Sequence, residues 1–168
     1  MKKSFQIPTL AAACFSIFNF SASAAMKSVA EFDSKEAEAA GWRVVDDGVM
    51  GGRSKGNLRI SDDGVLTFDG KLSLENNGGF SSLRTGSLTK DLSGAEGVVA
   101  RVKGDGRTYQ IRFGTDARFR GMEVSFMGEI ATEEGEWAEV KIPFSELTGS
   151  FRGMKLKNEV FNPAKISR

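Results

Sequence analysis

Residues 97–114 read GVVARVKGDGRTYQIRFG, and the reading of this stretch decides the fold. In its first half Val98, Ala100 and Val102 fall on one side of an extended chain, and Val99, Arg101 and Lys103 on the other. In its second half Tyr109, Ile111 and Phe113 oppose Gln110 and Arg112. A period of two marks a strand with one face in a core and one in water. The break between the halves, Gly104-Asp105-Gly106-Arg107, carries turn chemistry. Strands are therefore expected near 97–103 and 108–114.

The same alternation extends in both directions. It predicts further strands near 42–46, 57–60, 64–68, 71–75, 80–85, 122–130 and 136–142. Turns are expected at SDDG (61–64), DG (69–70), SGAEG (93–97) and EEGE (133–136). The one helical signal is DSKEAEAAG at 33–41, where Asp33 or Ser34 can cap a turn or two and Gly41 can stop it. The chain shows no internal repeat and no low-complexity segment. Many short strands at this spacing predict an all-β fold, an antiparallel β-sandwich or jelly roll with a short N-terminal helix.

Period two also sorts side chains into faces. Leu83, Val140 and Ile142 join the apolar set. The opposite set gathers Phe80, Arg84, Arg101, Gln110, Arg112, Trp137, Glu139 and Lys141. On one sheet these would form a polar face carrying two aromatic rings. A solvated face with Arg–Glu cross-strand pairs is the favoured reading. A sugar-binding face built on Trp137, Phe80, Arg84 and Arg112 is the alternative.

The chain begins MKKSFQIPTLAAACFSIFNFSASAA. Lys2 and Lys3 form a charged start, an apolar stretch runs from Ile7 to Phe20, and Ala22-Ser23-Ala24 supplies the small-x-small pattern. This is the design of a secretory signal peptide over residues 1–24, with cleavage expected after Ala24. The apolar run falls short of the roughly 20 residues that span a bilayer, so no membrane anchor is expected after processing. Residues 25–168 then form a single domain, periplasmic or secreted. It has no cysteine, because Cys14 is the only one. The absence of His and of mature Cys removes Ser-His-Asp hydrolysis, His- or Cys-ligated metal and thiol chemistry. Without Lys2 and Lys3 the chain carries 21 basic and 22 acidic residues, a balance that does not point to nucleic acid.

Two loops carry the remaining candidates. VDDGVMGGRSKG at 45–56 fails as a phosphate loop, since the sixth position from Gly48 is Arg53 and no helix follows. Its adjacent Asp46 and Asp47 also fail the alternate spacing of an EF-hand. What remains is a loop over 46–54 with three glycines, Gly48, Gly51 and Gly52, among Asp46, Asp47, Met50, Arg53 and Ser54. SLENNGGFSSLRT at 73–85 reads as a hairpin turn, yet it places Glu75, Asn76 and Asn77 on one loop ahead of Phe80 and Arg84.

Taken together, WRVVDDGVMGGRSKG, LTFDGKLSLENNGGFSSLRT, GVVARVKGDGRTYQIRF and GEWAEVKIPFSEL followed by FRG resemble the complex I intermediate-associated protein 30 family over roughly residues 32–163. The resemblance implies a galactose-binding-domain-like sandwich, a chaperone or assembly-factor role and no catalytic activity or cofactor. It carries no ligand role to any one residue. Relatives usually continue past NPAKISR with a further strand, so the expectation is either that the last strand is missing here or that this member closes differently. Three functions follow. The first is a non-catalytic exported binding module that holds a protein partner on the 46–54 and 75–80 loops, expected to lie side by side. The alternative is a glycan-binding protein that uses Trp137, Phe80, Arg84 and Arg112. A glycosidase using two of Asp46, Asp47, Glu75 and Asp105 ranks well below both. Loop calcium is open, though no spacing demands it.

Overall fold

A computed structural model describes residues 4–18, 28–33, 40–86 and 89–168. Among the described residues twelve strands run in chain order: β1 (Ser4–Phe18), β2 (Ser28–Glu31), β3 (Arg43–Asp46), β4 (Lys55–Ile60), β5 (Leu66–Ser73), β6 (Ser81–Arg84), β7 (Gly97–Lys103), β8 (Thr108–Phe119), β9 (Met122–Ala131), β10 (Trp137–Pro143), β11 (Thr148–Phe151) and β12 (Met154–Leu156). The pairings between these strands are all antiparallel. The largest sheet has the order β10-β7-β1-β5-β4, with β2 also on β1; the second is β12-β11-β9-β8, and β3 pairs with β6. The protein is an all-β sandwich. The helix expected over 33–41 falls mainly on residues 34–39, which lie outside the described residues.

The core forms where the two larger sheets face each other. Val98, Ala100 and Val102 of β7, Leu66 and Phe68 of β5 and Ile142 of β10 meet Phe113 of β8 and Val124, Phe126 and Ile130 of β9. Phe161 enters this layer from the C-terminal segment. Its ring centroid lies 5.7, 5.3 and 4.8 Å from those of Phe113, Phe126 and Phe144, and such pairs add about 0.5–1.5 kcal/mol each to their burial. Arg101 and Lys103 are exposed, as alternation requires, but Val99 on their side of β7 is buried as well.

Three expectations are corrected. Asp69-Gly70 is no turn: β5 runs through it, because Gly70 lies against β4 so closely that a Cβ there would sit 2.1 Å from the Lys55 carbonyl oxygen. A chain that tight stays extended only with glycine. Asn-Asn-Gly-Gly makes no hairpin either, since β5 pairs with β4 and β1 whereas β6 pairs with β3. Third, a short repeat does exist. Phe-Arg-Gly-Met occurs at 119–122 and again at 151–154, and each copy turns one hairpin, β8–β9 and β11–β12.

The central place in the largest sheet belongs to β1, the leader-like segment. Residues 4–7 and 10–12 pair with β5, and 11–12 and 14–18 pair with β7. Pro8, which has no N–H to give, falls in the register break between Ile7 and Leu10. An uncharged run suits an export leader and a central strand equally.

Candidate functional site

The two motif loops converge, and one carboxylate holds them together. Asp47 is fully buried. Its Oδ1 accepts the Ser54 N–H at 2.9 Å; its Oδ2 accepts the Ser54 hydroxyl at 2.6 Å, the Gly79 N–H at 2.6 Å and the Phe80 N–H at 3.3 Å. The Asp47 N–H in turn donates to the Phe80 carbonyl at 3.3 Å. Ser54 Oγ accepts the Ser73 N–H at 3.1 Å, which adds the end of β5 to the network. The Ser54 hydroxyl and the Gly79, Ser54 and Phe80 amides hold the Asp47 carboxyl at about 2, against the opposing push of burial. It is ionised across the physiological range and has no proton to lend.

The glycines of both motifs have a steric reason. A Cβ on Gly52 would sit 2.3 Å from Asp47 Cγ and Oδ1. One on Gly78 would sit 2.5 Å from Asp47 Oδ2 and 2.8 Å from the Ser73 carbonyl oxygen. The carboxylate is pinched between two backbones that only glycine lets approach. Residues 47–50 form a single 3-10 turn closed by Gly51 at φ 85°. Residues 75–77 form a tight turn that is not regular 3-10, since Asn76 and Asn77 sit at φ 55° and 57°, a left-handed region that asparagine tolerates better than most residues. Next door, Asp46 accepts the Gly56 N–H at 3.1 Å and the Ser81 hydroxyl at 2.5 Å. At the rim Asn76 Nδ2 donates to the Gly51 carbonyl at 2.9 Å, and Arg53 pairs with Glu75 at 3.0 Å.

This clamp has an inverted surface. Val49, Met50 and Leu74 are 77%, 66% and 52% exposed, while the carboxylate beneath them is sealed. Val49 and Met50 ride on the 47–50 turn, and Leu74 enters the 75–77 turn from β5. Met50 is among the residues expected on this loop; Val49 and Leu74, likewise exposed, are not. The available signal was an apolar pair inside a Gly-rich loop, where packing cannot hide it.

The other predicted residues lie on three sheets, although Arg84 and Arg112 come near enough for their charges to interact. Phe80 precedes β6 and Arg84 ends it, Arg112 lies on β8 and Trp137 opens β10 in the largest sheet, so the proposed sugar face is split among three sheets. The Trp137 ring already carries the Arg101 guanidinium at 5.1 Å from its centroid. Arg84 sits directly across from Arg43, and burial together with the charges of Arg168, Arg43 and Arg112 draws its pKa down. The carboxylates considered for hydrolysis are engaged as well. Asp105 accepts the Tyr109 hydroxyl at 2.8 Å and pairs with Arg107 at 3.2 Å, and Glu75 holds Arg53. Among the described residues no three acidic, His or Cys side chains are placed to hold a metal ion. A surface cavity of about 300 Å³ between Thr89–Asp91, Thr115–Asp116 and Ala164–Ser167 contains none of the predicted site residues.

Fold and site together define an all-β sandwich whose two glycine-rich loops are locked by a buried carboxylate beneath an exposed apolar tip. The model of the complex I intermediate-associated protein 30 family matches residues 30–168, and the chain belongs to that family. Membership supports an assembly-factor-like role at the level of the family. No curated protein and no solved structure matches the chain.

Proposed function

We propose that this protein is a non-catalytic, exported binding module that holds a protein partner on the paired 46–54 and 75–80 loops. The observation that carries the reading is the polarity inversion at the clamp: three apolar side chains face water on a base fixed by four hydrogen bonds to Asp47. A rigid apolar tip loses little entropy on docking. Arg53, Glu75, Asn76 and Asn77 around it supply a polar rim of the kind that borders protein interfaces. The partner offers an apolar pocket for Val49, Met50 and Leu74 and lies on the exported side of the membrane, in keeping with the leader pattern of residues 1–24.

The leader adds a second support. If residues 1–24 are removed, β1 goes with them, and β5 and β7 lose the strand between them. Both run antiparallel to β1, hence parallel to each other, so closing the gap would need a new parallel ladder. A processed chain with such an opening favours completion by a partner.

The test is recovery of partner from periplasmic extract by wild type, Asp47→Ala and the double variant Val49→Ser/Met50→Ser. The double variant is expected to keep its fold and lose the partner, and Asp47→Ala to lose the partner through a loosened loop. Equal recovery by all three would refute the reading. The exported chain is expected to begin at Ala25 on N-terminal sequencing; a chain that retains Met1–Ala24 would refute export with processing.

A further inference from the structure

The two Phe-Arg-Gly-Met copies build a second surface, independent of the loop clamp. Each places Arg and Gly in a two-residue hairpin turn, Arg120-Gly121 and Arg152-Gly153, with φ of 52° and 77° in one and 47° and 82° in the other. Both positions of such a turn demand positive φ, and Asn, Asp or Gly is the comfortable first residue. Arginine there is strained, twice, in the same way. Stability alone would not place it so.

The two turns stand side by side. The rings of Phe119 and Phe151 pack at 5.5 Å between centroids, and each carries the guanidinium of the following arginine, Arg120 at 5.4 Å and Arg152 at 5.5 Å. Neither arginine has a carboxylate partner among the described residues. Met122 and Met154, which follow the turns, are both exposed. The tip therefore presents two cationic planar forks on an aromatic base, with an unbranched apolar side chain beside each. Arginine forks match phosphate oxygens, and stacking on a ring fixes the fork in advance. Apolar side chains next to them suit the boundary between headgroup and acyl chain rather than a free anion in water.

We infer that the paired Phe-Arg-Gly-Met turns form a peripheral contact with an anionic phospholipid surface, in which Arg120 and Arg152 engage lipid phosphates and Met122 and Met154 dip among the acyl chains. The contact is weak and salt-sensitive, because two cations in a screened interface cannot hold a protein irreversibly. It would orient the module at a bilayer and leave the Val49–Met50–Leu74 tip to the partner.

The experiment compares the full chain with Arg120→Asn/Arg152→Asn and with Met122→Ser/Met154→Ser. It uses flotation with vesicles of phosphatidylcholine alone or with about one-third phosphatidylglycerol, in low and high salt. All three proteins share one N-terminus, so their difference isolates the tips. The asparagine variant is expected to melt higher than wild type, since Asn fits the turn, and to lose about fivefold or more of its binding to the anionic vesicles. The serine variant should lose binding without a change in melting. Inorganic phosphate at millimolar concentration should compete poorly; full displacement by it would reassign the site to a soluble anion and overturn the membrane contact. Equal flotation of all three proteins would also overturn the inference. So would an asparagine variant that melts lower, because the arginines would then be structural. None of these outcomes touches the loop face, whose test is recovery of a protein partner.

Discussion

Asp47 and Asp105 occupy turns that look alike on paper, Asp-Asp-Gly and Gly-Asp-Gly, and they do different work. Asp105 bonds Arg107 and Tyr109, all within four residues of itself, at an open turn between β7 and β8. Asp47 bonds Ser54, Gly79 and Phe80, seven to thirty-three residues away, and is sealed from water. A local cap stabilises one turn. A long-range cap joins separate segments and must be ordered before either loop has a shape. What separates a scaffold turn from a platform is the chain distance of its donors, not the residues it contains.

The comparison breaks most easily at the glycines and carboxylate of the clamp. Asp47→Ala orphans buried donors, and Gly78→Ala drives a methyl into Asp47 and the Ser73 carbonyl. Each should lower Tm by about 10 °C, whereas Asp105→Ala should lower it by only about 2–4 °C. Equal losses would erase the distinction.

Proton linkage sharpens it next, with opposite signs. The folded Asp47 carboxyl, at about 2, lies below its ordinary value of 3.8. Its contribution is complete above about pH 4 and fades as pH falls toward 2. Asp47→Asn should remove that acid limb from a melting-versus-pH series. At the Asp105 turn, burial first, then the hydrogen bond to Asp105 and its negative charge, raise the Tyr109 phenol above its ordinary 10.0. That contribution is complete below pH 10 and is lost above it, and Tyr109→Phe should remove it. An acid limb that survives Asp47→Asn would place the acid sensitivity elsewhere.

The smallest effect is expected at the rim. Arg53 and Glu75 meet in largely solvated surroundings, so Arg53→Ala should shift Tm by less than about 2 °C. A larger shift would mean that the rim, not Asp47, holds the loops.

Much of the fold was legible because alternation is a local signal. Strand 97–103 was read to its ends, and Val98, Ala100 and Val102 were placed inward, as they are. Pairing partners were not legible. Nothing local distinguishes Asn-Asn-Gly-Gly as a hairpin from the same residues crossing between sheets, or Asp69-Gly70 as a turn from an extended close approach. β11 and β12 were missed because four and three residues are too few for a period to show. β1 was missed because an export leader and a central strand draw on the same apolar vocabulary. At the site, the convergence of the two loops was anticipated from their shared motif set. The burial of Asp47 was not, because a carboxylate reads as exposed until its donors are known. The exposure of Val49 and Leu74 was not legible either, because an apolar residue in a loop carries no mark of which way it faces.

Amide hydrogen exchange at Ser54 and Gly79, in wild type and in Asp47→Asn, tests the clamp most directly. Both amides donate to the Asp47 carboxylate and should exchange as slowly as those of β9 in the wild type, and much faster in the variant. Exchange in the wild type as fast as at the exposed Val49 would show that the loops are not locked, and the apolar tip would then have no rigid base.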